Sequence, residues 1–467
     1  MNLQAIYSQA SAAHQRGDLA AAEEGYLRLL SVEPNNPQIR HPLGVLRAQQ
    51  GRTDEALALV GSALAAAPDA PDILLDYGVI LRAAGRASEA LAIFDRAMAL
   101  SPGKPSLLKL RADTLMLLGR PEDALLAFDQ LPQIAPVLRA RAHALQALGR
   151  HDDAVESFDR ALAAQPDLRD VLYERGALLA NRHRIADWFA GFHDFATREG
   201  ARAWAKHPGN EQAQAHLARH EAELRTYQAG NGIVPAGARP HIEPAPRLSG
   251  PAINAGNIAA ATEAWRQNRP QIVVIDNLLT DEALAALRRF CWGSDIWHTP
   301  YDGGYIGAFP ENGLAAPLLT QIVEEFRTAF DAICGDHALK YVWAFKYSSS
   351  LEGIGIHADQ AAVNVNFWIT PDEANLDPEH GGLVVWDVAA PLDWDFARFN
   401  SDEKAMRDFL RDNDARAVTI PYRANRAVIF DSDLFHQTDT IRFKEGYQNR
   451  RINITLLYGE REAGKLG

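Results

Sequence analysis

Residues 54–102 read "DEALALVGSALAAAPDAPDILLDYGVILRAAGRASEALAIFDRAMALSP" and contain the clearest internal repeat of the chain. Pro34, Pro68 and Pro102 follow one another at intervals of 34 residues. A period of about 34 residues is typical of a solenoid built from helix–turn–helix units. Proline suits the end of each unit because it has no amide hydrogen to continue a helix. The first third of the chain is therefore predicted to be a stack of helix pairs.

Other positions recur in the same phase as these prolines. Alanines allow the two helices of a unit to approach, a bulky side chain fills the space between them, and a glycine permits close packing on the first helix. The recurring residues are Ala22, Ala56 and Ala90, then Tyr26, Val60 and Phe94, then Gly44 and Gly78.

Two further units follow, with Phe128 in the fourth and Phe158 in the fifth. Only 30 residues separate these phenylalanines, so the second helix of the fourth unit is predicted to be short and to be broken by Pro132. The segment 3–167 resembles tetratricopeptide repeats (TPR). The resemblance implies an all-α TPR solenoid over residues 1–168 whose concave groove binds a protein or peptide partner, with a passive spacer or dimerisation arm as the alternative.

The repeat pattern fades after residue 168. Residues 169–228 are interpreted as a partial repeat with Gly176 in phase, followed by capping helices. His216 and His220 lie four residues apart on one predicted helix and are expected to face solvent, since no third zinc ligand is evident. Residues 229–262 are rich in proline and glycine and are predicted to be a linker, so a second domain is expected over 263–467.

Composition excludes several classes of protein. The formal net charge is −13, which argues against binding to nucleic acid. The only cysteines, Cys291 and Cys334, cannot form a disulfide framework and are expected to be buried thiols. No secretory signal and no apolar run of membrane-spanning length are visible, so we expect a cytoplasmic protein that does not bind membranes.

From Gln271 the chain reads as short strands separated by turn residues, which is typical of a sandwich or barrel. "TDEALAALRRFC" and "LLTQIVEEFRTAFDAIC" are predicted to be helices, the first with Thr280 as N-cap. The predicted strands are "QIVVIDNLL", "YVWAFKYSS", "GIGIHAD", "AAVNVNFWIT", "GGLVVWDV", "ARAVTIPY", "RAVIFDSD" and "RRINITLLYG".

The segment "GIGIHAD" places His357 and Asp359 two residues apart, and alternate side chains of a strand share one face. His436, which follows the strand "RAVIFDSD", supplies a second histidine. Two histidines and one carboxylate with open coordination positions are typical of non-haem Fe(II) sites that activate oxygen. Downstream, Arg451 shares a strand face with Asn453 and Thr455, and a buried arginine there needs a carboxylate such as that of 2-oxoglutarate.

With these residues, the second half resembles the Fe(II)- and 2-oxoglutarate-dependent oxygenases, closest to the prolyl-hydroxylase-like branch. His357, Ala358 and Asp359 match its H-x-D, His436 matches its distal histidine, and the run from Arg451 to Thr455 matches its R-x-[S/A/N]-[L/I]-T. The resemblance implies a double-stranded β-helix (a jelly-roll, cupin-like fold) with flanking helices. It also implies Fe(II) held by His357, Asp359 and His436, with 2-oxoglutarate and O2 as co-substrates and ascorbate as a supporting reductant.

The resemblance also suggests residues around the co-substrate. Arg451 is expected to hold the far carboxylate of 2-oxoglutarate, although the long spacing from His436 leaves Arg450 as a competitor. Tyr347 stands at the position of a common family tyrosine, and Thr455 shares the strand face of Arg451. Asn366 and Trp368, with Asn364, are expected to line a polar pocket beside the metal, with an outward solvent face as the alternative. The insertion 391–415 is a possible lid.

These observations predict a dioxygenase that hydroxylates a peptidyl side chain recruited by the TPR groove. One alternative keeps the same chemistry but acts on a small molecule and uses the repeats for assembly. A second alternative is a scaffold protein whose oxygenase domain is inactive.

Overall fold

The computed structural model of the protein describes residues 2–181, 184–199, 210–233, 240–349 and 353–461. The chain forms two compact units, Met1–Val171 and Leu172–Gly467. The predicted domain limits at residues 168, 228 and 262 stay predictions. Part of the predicted linker, residues 234–239, and residues 350–352 before the H-x-D segment lie outside the described residues.

The first unit consists of antiparallel helix pairs joined by short turns, as the repeat period predicts. An eleventh helix begins in this unit and continues into the second. The helices are α1 (Leu3–Gln15), α2 (Leu19–Val32), α3 (Pro37–Gln49), α4 (Thr53–Ala66), α5 (Pro71–Ala83), α6 (Ala87–Leu100), α7 (Pro105–Leu117), α8 (Pro121–Asp129), α9 (Ala135–Ala147), α10 (His151–Ala164) and α11 (Arg169–Asn181).

Prolines set the ends of these helices. Helices α2, α4 and α6 each end two residues before one of the prolines that define the period. A second set of prolines opens α3, α5 and α7, where the missing amide hydrogen costs nothing because the first turn leaves it unpaired. Helix α8 has only 9 residues, against 14 in α10, which confirms the predicted shortening of the fourth unit.

Close packing within each pair explains the recurring glycines and bulky residues. A Cβ atom on Gly44 would lie 2.5 Å from Val60, and one on Gly78 would lie 2.5 Å from Phe94. Neither neighbour can yield easily, since Val60 and Phe94 are fully buried. The predicted pairing of a glycine on the first helix with a bulky residue on the second is therefore confirmed.

A further periodic signal lies in the turns within the pairs and was missed in the sequence. Five glycines there adopt left-handed backbone angles, with φ between 67° and 79°, which end the first helix and reverse the chain. Side chains with a Cβ are strained in this conformation. The glycines are Gly17, Gly51, Gly85, Gly119 and Gly149.

Phe94→Ala should destabilise the repeat unit strongly, because it opens a cavity between α5 and α6. We expect the free energy of unfolding to fall by about 3–5 kcal/mol. Leu126→Ala is the matched control, since Leu126 is 63% exposed and should change stability by no more than about 0.5 kcal/mol. Urea unfolding followed by circular dichroism measures both, and equal losses would contradict the assigned packing.

The second unit combines helices with two antiparallel sheets. Its remaining helices are α12 (Ile185–Glu199), α13 (Glu211–Gly230), α14 (Ile258–Gln267), α15 (Asp281–Gly293), α16 (Pro317–Ala329), α17 (Asp331–Cys334), α18 (Phe396–Asn400) and α19 (Glu403–Asp412). Its strands are β1 (Ile272–Ile275), β2 (Thr299–Tyr301), β3 (Tyr305–Ala308), β4 (Leu339–Tyr347), β5 (Val363–Trp368), β6 (Leu383–Ala389), β7 (Ala417–Ile420), β8 (Ala427–Asp431), β9 (Leu434–Thr438) and β10 (Ile452–Tyr458).

The larger sheet has seven strands in the order β1-β8-β5-β10-β4-β3-β2, and the smaller has three in the order β7-β6-β9. Strand β10 is central, pairing with β5 on one side and with β4 on the other. Every residue of β5 and β10 is buried, so polar side chains on these strands need partners inside the protein. No described helix is both long enough and apolar enough to cross a bilayer, and the cytoplasmic location stays a prediction.

Most predicted strands are confirmed within two or three residues, and Thr280 caps α15 by accepting a hydrogen bond from the amide of Ala283. The predicted strand "GIGIHAD" is wrong, however. Gly353 has a left-handed φ of 77°, and the next residues hydrogen-bond to several separate segments and not to one neighbouring strand. His357 and Asp359 therefore lie on an irregular segment, and strand alternation does not explain why they converge.

The prediction that His216 and His220 face solvent is also wrong, because they are 7% and 1% exposed. Helix α13 packs this face against other elements of the second unit, and the His220 ring stacks on Tyr447 with centroids 5.4 Å apart. Burial, then the charges of Lys346 and Arg450, keeps the pKa of His220 well below its ordinary value. A neutral imidazole behaves here as a flat aromatic side chain in a packed interface.

Histidines with lowered pKa values make the second unit sensitive to acid. Burial, followed by the charge of Arg450, lowers the pKa of His216 to about 4. As pH falls below about 6.5, the histidines bind protons in the unfolded state but stay unprotonated in the folded state. The free energy of unfolding therefore decreases as the pH is lowered. His220→Phe keeps the stacking on Tyr447 but removes one titrating group. We expect its Tm to fall less than that of the wild type between pH 7 and pH 5, and parallel Tm profiles would contradict this account.

Candidate metal centre

Three predicted ligands come together in the second unit. His357 and Asp359 lie on the irregular segment after Gly353, and His436 lies within β9. One ligand atom from each falls within 4.8 Å of the other two. Asp359 Oδ2 is 3.4 Å from Nε2 of His436, and Asp359 Oδ1 is 3.9 Å from Nε2 of His357.

Backbone hydrogen bonds fix the two histidines opposite each other. The amide of His357 donates to the carbonyl of His436 at 3.0 Å, and the amide of His436 donates back at 2.8 Å. This isolated antiparallel bridge joins the irregular segment to the smaller sheet. The imidazole centroids consequently lie only 4.3 Å apart.

Each imidazole is oriented by a second backbone contact. Nδ1 of His357 lies 2.8 Å from the carbonyl oxygen of Gly355, and Nδ1 of His436 lies 3.0 Å from that of Leu434. A carbonyl oxygen only accepts, so Nδ1 carries the proton in both rings. Nε2 of each ring is therefore the nitrogen with a lone pair available to a metal.

Protonation states also suit metal binding. Burial, and then the neighbouring His436, lowers the pKa of His357 to about 4, so its ring is neutral at physiological pH. Burial alone would raise the pKa of Asp359, but hydrogen bonds and nearby imidazoles outweigh it and lower the pKa overall. The centre thus presents a neutral imidazole of His357 and an ionised carboxylate of Asp359 beside the ring of His436. In the described part of the chain, no other group of three such ligands converges.

A narrow inner cavity of about 40 Å³ extends from these ligands into the second unit. Four of the residues predicted to bind a co-substrate line it: Tyr347, Asn366, Arg451 and Thr455. The remaining lining residues are Trp343, Phe345, Ile354, His357, Asp359, Leu383, His436, Thr438 and Asn453.

Arg451 places a guanidinium at this cavity while being only 1% exposed. It donates to the carbonyls of Gly381 and Gly382 at 2.7 and 3.1 Å and to the amide oxygen of Asn453 at 3.3 Å. No aspartate or glutamate among the described residues forms an ion pair with it. Burying a cation without a carboxylate in direct contact is costly, so an anionic ligand would stabilise this arrangement.

Aromatic rings complete the surroundings of Arg451. Its guanidinium carbon lies 4.6 Å from the ring centroid of Tyr347 and 5.5 Å from that of Trp368. Burial raises the pKa of the Tyr347 hydroxyl, which keeps it a neutral donor. Trp368 is buried and packs against Arg451 without lining the cavity. The alternative that Asn366 and Trp368 face solvent is therefore wrong.

Arg450, the competing arginine, is directed elsewhere. Its guanidinium lies 2.8 Å from the carboxylate of Glu223 on α13. Alternation along the chain explains the difference, because successive residues of an extended strand point to opposite sides of a sheet. Arg451 faces the cavity, and Arg450 faces the helix that covers the other side.

A larger outer cavity of about 680 Å³ meets the inner one at His357 and Asp359. Aromatic residues from β2, β3 and β4 form much of its wall, and the insertion 391–415 contributes Phe396, Asn400, Ser401 and Glu403. The sequence did not indicate Tyr301, Tyr305 or Phe309, because the strands that carry two of them, β2 and β3, are only three and four residues long.

Comparison with known proteins identifies the helical repeats. Tetratricopeptide repeat families match residues 41–105 and 139–187, and also 81–148. No curated protein matches the chain. Similar solved structures include a tetratricopeptide repeat protein from Parabacteroides merdae ATCC 43184, with 20% identity, a TM-score of 0.38, and coverage of 49% of this chain and 88% of that one.

Two other solved structures match over about a third of the chain. MamA shares 18% identity with a TM-score of 0.33, covering 35% of this chain and 92% of that one. YrrB, described as a TPR protein with an unusual peptide-binding site, shares 20% identity with a TM-score of 0.34, covering 36% and 90%. The repeats in the N-terminal part of this chain are tetratricopeptide repeats.

Proposed function

We propose that the second unit is an Fe(II)- and 2-oxoglutarate-dependent dioxygenase that hydroxylates a peptidyl side chain. The observation that carries this proposal is a buried guanidinium without a carboxylate partner, placed on the same narrow cavity as two histidines and an aspartate. A metal alone would explain the three ligands but not Arg451. A dicarboxylate that also reaches the metal explains both.

The ligand set fits a non-haem iron. Two imidazoles and one carboxylate match the two-histidine, one-carboxylate arrangement that leaves positions open for co-substrate and oxygen. When bound, iron with 2-oxoglutarate and O2 supplies the oxidising chemistry, which yields succinate, carbon dioxide and a hydroxylated product. The protein contributes the ligands His357, Asp359 and His436 and a cavity largely closed to water.

Arg451 would hold the carboxylate of 2-oxoglutarate that lies away from the metal. Its planar fork suits a carboxylate, and the aromatic face of Tyr347 supports the guanidinium from one side. Thr455 and Asn366 supply further polar groups along the same cavity wall. The inner cavity of about 40 Å³ meets the outer cavity at His357 and Asp359, and the co-substrate would enter by that route.

The two antiparallel sheets of the second unit support the inference of a double-stranded β-helix. In that arrangement Arg451 lies immediately before β10 of the larger sheet, and the smaller sheet contributes His436 through β9. The irregular segment that carries His357 and Asp359 connects the two.

The outer cavity and the repeats favour a peptidyl substrate. Seven aromatic residues line the outer cavity, and its charged residues are Asp359, a proposed metal ligand, and Glu403 at the insertion. The aromatic wall suits a ring such as a prolyl side chain. TPR proteins generally bind proteins or peptides, and the helical repeats offer a groove for such a partner. We therefore assign partner recruitment to the repeats and the chemistry to the second unit.

Succinate release tests the enzymatic part of the proposal. Full-length protein purified without oxygen is supplied with Fe(II) and 2-oxoglutarate and then exposed to air. We expect slow succinate formation without added substrate, lost to background in His357→Ala and retained in His241→Ala, which alters a histidine outside the centre. Mass spectrometry measures succinate. If the wild type bound no metal and formed no succinate, the inactive-scaffold alternative would be favoured instead.

A pair of substitutions decides between the two arginines. Arg451→Met should raise the KM for 2-oxoglutarate about 10- to 100-fold, the range expected for losing charged hydrogen bonds. Arg450→Met should leave that KM nearly unchanged but lower the Tm, because Glu223 loses its partner. Steady-state succinate formation at varied 2-oxoglutarate measures both variants, and the reverse pattern would show that Arg450 holds the co-substrate.

A further inference from the structure

A continuous chain of hydrogen bonds joins Arg451 to Asp359 through three asparagine side chains. Arg451 Nη1 donates to Asn453 Oδ1 at 3.3 Å, and Asn453 Nδ2 donates to Asn366 Oδ1 at 3.2 Å. Asn366 Nδ2 then donates to Asn364 Oδ1 at 2.6 Å, and Asn364 Nδ2 donates to Asp359 Oδ2 at 2.6 Å. The chain therefore runs from the co-substrate end of the inner cavity to a metal ligand.

Strand pairing explains how this chain forms. Asn364 and Asn366 are two residues apart on β5, so their side chains share one face. Strand β10 pairs with β5, and its residues Asn453 and Thr455 meet Asn366 on that same face. All four polar side chains are buried.

The direction of every hydrogen bond in the chain is determined by its ends. A guanidinium can only donate, and an ionised carboxylate can only accept. Each asparagine between Arg451 and Asp359 must therefore accept with its oxygen and donate with its nitrogen. Turning the Asn366 amide around would bring its oxygen against the oxygen of Asn364 and leave its nitrogen facing the donor of Asn453. One orientation of the three amides satisfies the whole chain.

We infer that Asn364, Asn366 and Asn453 are positioning residues that hold Asp359 ready to bind the metal. This inference rests on the proposed function. Asn364 fixes the rotation of the Asp359 carboxylate, and the other two amides fix Asn364 in turn. Aligned hydrogen bonds polarise one another, so the positive charge of Arg451 strengthens the contact that Asn364 makes to Asp359. The group that binds the co-substrate thereby also supports the metal ligand.

Metal affinity without co-substrate tests this role. Isothermal titration calorimetry of Co²⁺ into the metal-free full-length protein, with no 2-oxoglutarate present, measures how much the hydrogen-bond chain contributes to metal affinity. Asn364→Leu keeps the branched shape of asparagine but cannot donate, and we expect it to weaken Co²⁺ binding about 10- to 100-fold. Asn366→Leu acts through Asn364 and should weaken binding in the same direction by a smaller factor.

A control variant separates positioning from packing. Tyr458→Phe changes a buried side chain on the neighbouring strand β10, whose hydroxyl has no hydrogen-bond partner in the described part of the protein. This variant should bind Co²⁺ like the wild type. If Asn364 serves only to fill space, leucine would preserve its role and Co²⁺ affinity would not change. That result, at unchanged Tm, would overturn the inference while leaving the proposed function intact.

The remaining outcomes are also decisive. Should Asn364→Leu fail to fold, Asn366→Leu decides the question, and wild-type affinity in that variant would overturn the inference. A double variant of Arg451→Met with Asn366→Leu adds a test of the chain itself. The fold-loss of Co²⁺ affinity in the double variant should be smaller than the product of the fold-losses in the two single variants, because both substitutions break the same hydrogen-bond chain. Failure of the wild type to bind Co²⁺ would instead reject the proposed function.

Discussion

Two opposite charges lie buried in the second unit without touching each other. Asp359 is 8% exposed and Arg451 is 1% exposed, and an isolated buried charge is strongly unfavourable unless polar groups surround it. Asp359 accepts a hydrogen bond from Asn364, and Arg451 donates to Asn453 and to the carbonyls of Gly381 and Gly382. Asn366 joins Asn364 to Asn453. The polar side chains on β5 and β10 link the two charged groups by hydrogen bonds, and both groups line the inner cavity.

The position of the centre depends on both sheets together. The larger sheet holds Arg451 and the asparagines, whereas the smaller sheet holds His436. The backbone bridge between His357 and His436 holds the irregular segment to the smaller sheet, so the metal ligands meet only when that segment is in place. The same segment separates the inner cavity from the outer one, which places the proposed iron between co-substrate and substrate.

The sequence predicted the repeats well because their contacts are local. Each recurring alanine, glycine and bulky residue packs within its own helix pair, so one period specifies the helices, their ends and the shortened fourth unit. Predictions in the second unit succeeded where a strand had a clear apolar pattern. They failed for β2 and β3, which are too short to show a pattern, and for His216 and His220, whose burial depends on what α13 covers.

By itself, the sequence determined the helical repeats, most strands of the second unit, and the identity and order of the candidate site residues. These follow from periodicity and from side-chain chemistry, which do not depend on distant parts of the chain. Only the tertiary structure decided that His357, Asp359 and His436 converge, that Arg451 faces the cavity without a carboxylate, and that Arg450 turns to Glu223. The physical reason is that each of these facts is a contact between segments far apart in sequence, and such contacts are set by strand order and loop path, which no local pattern encodes.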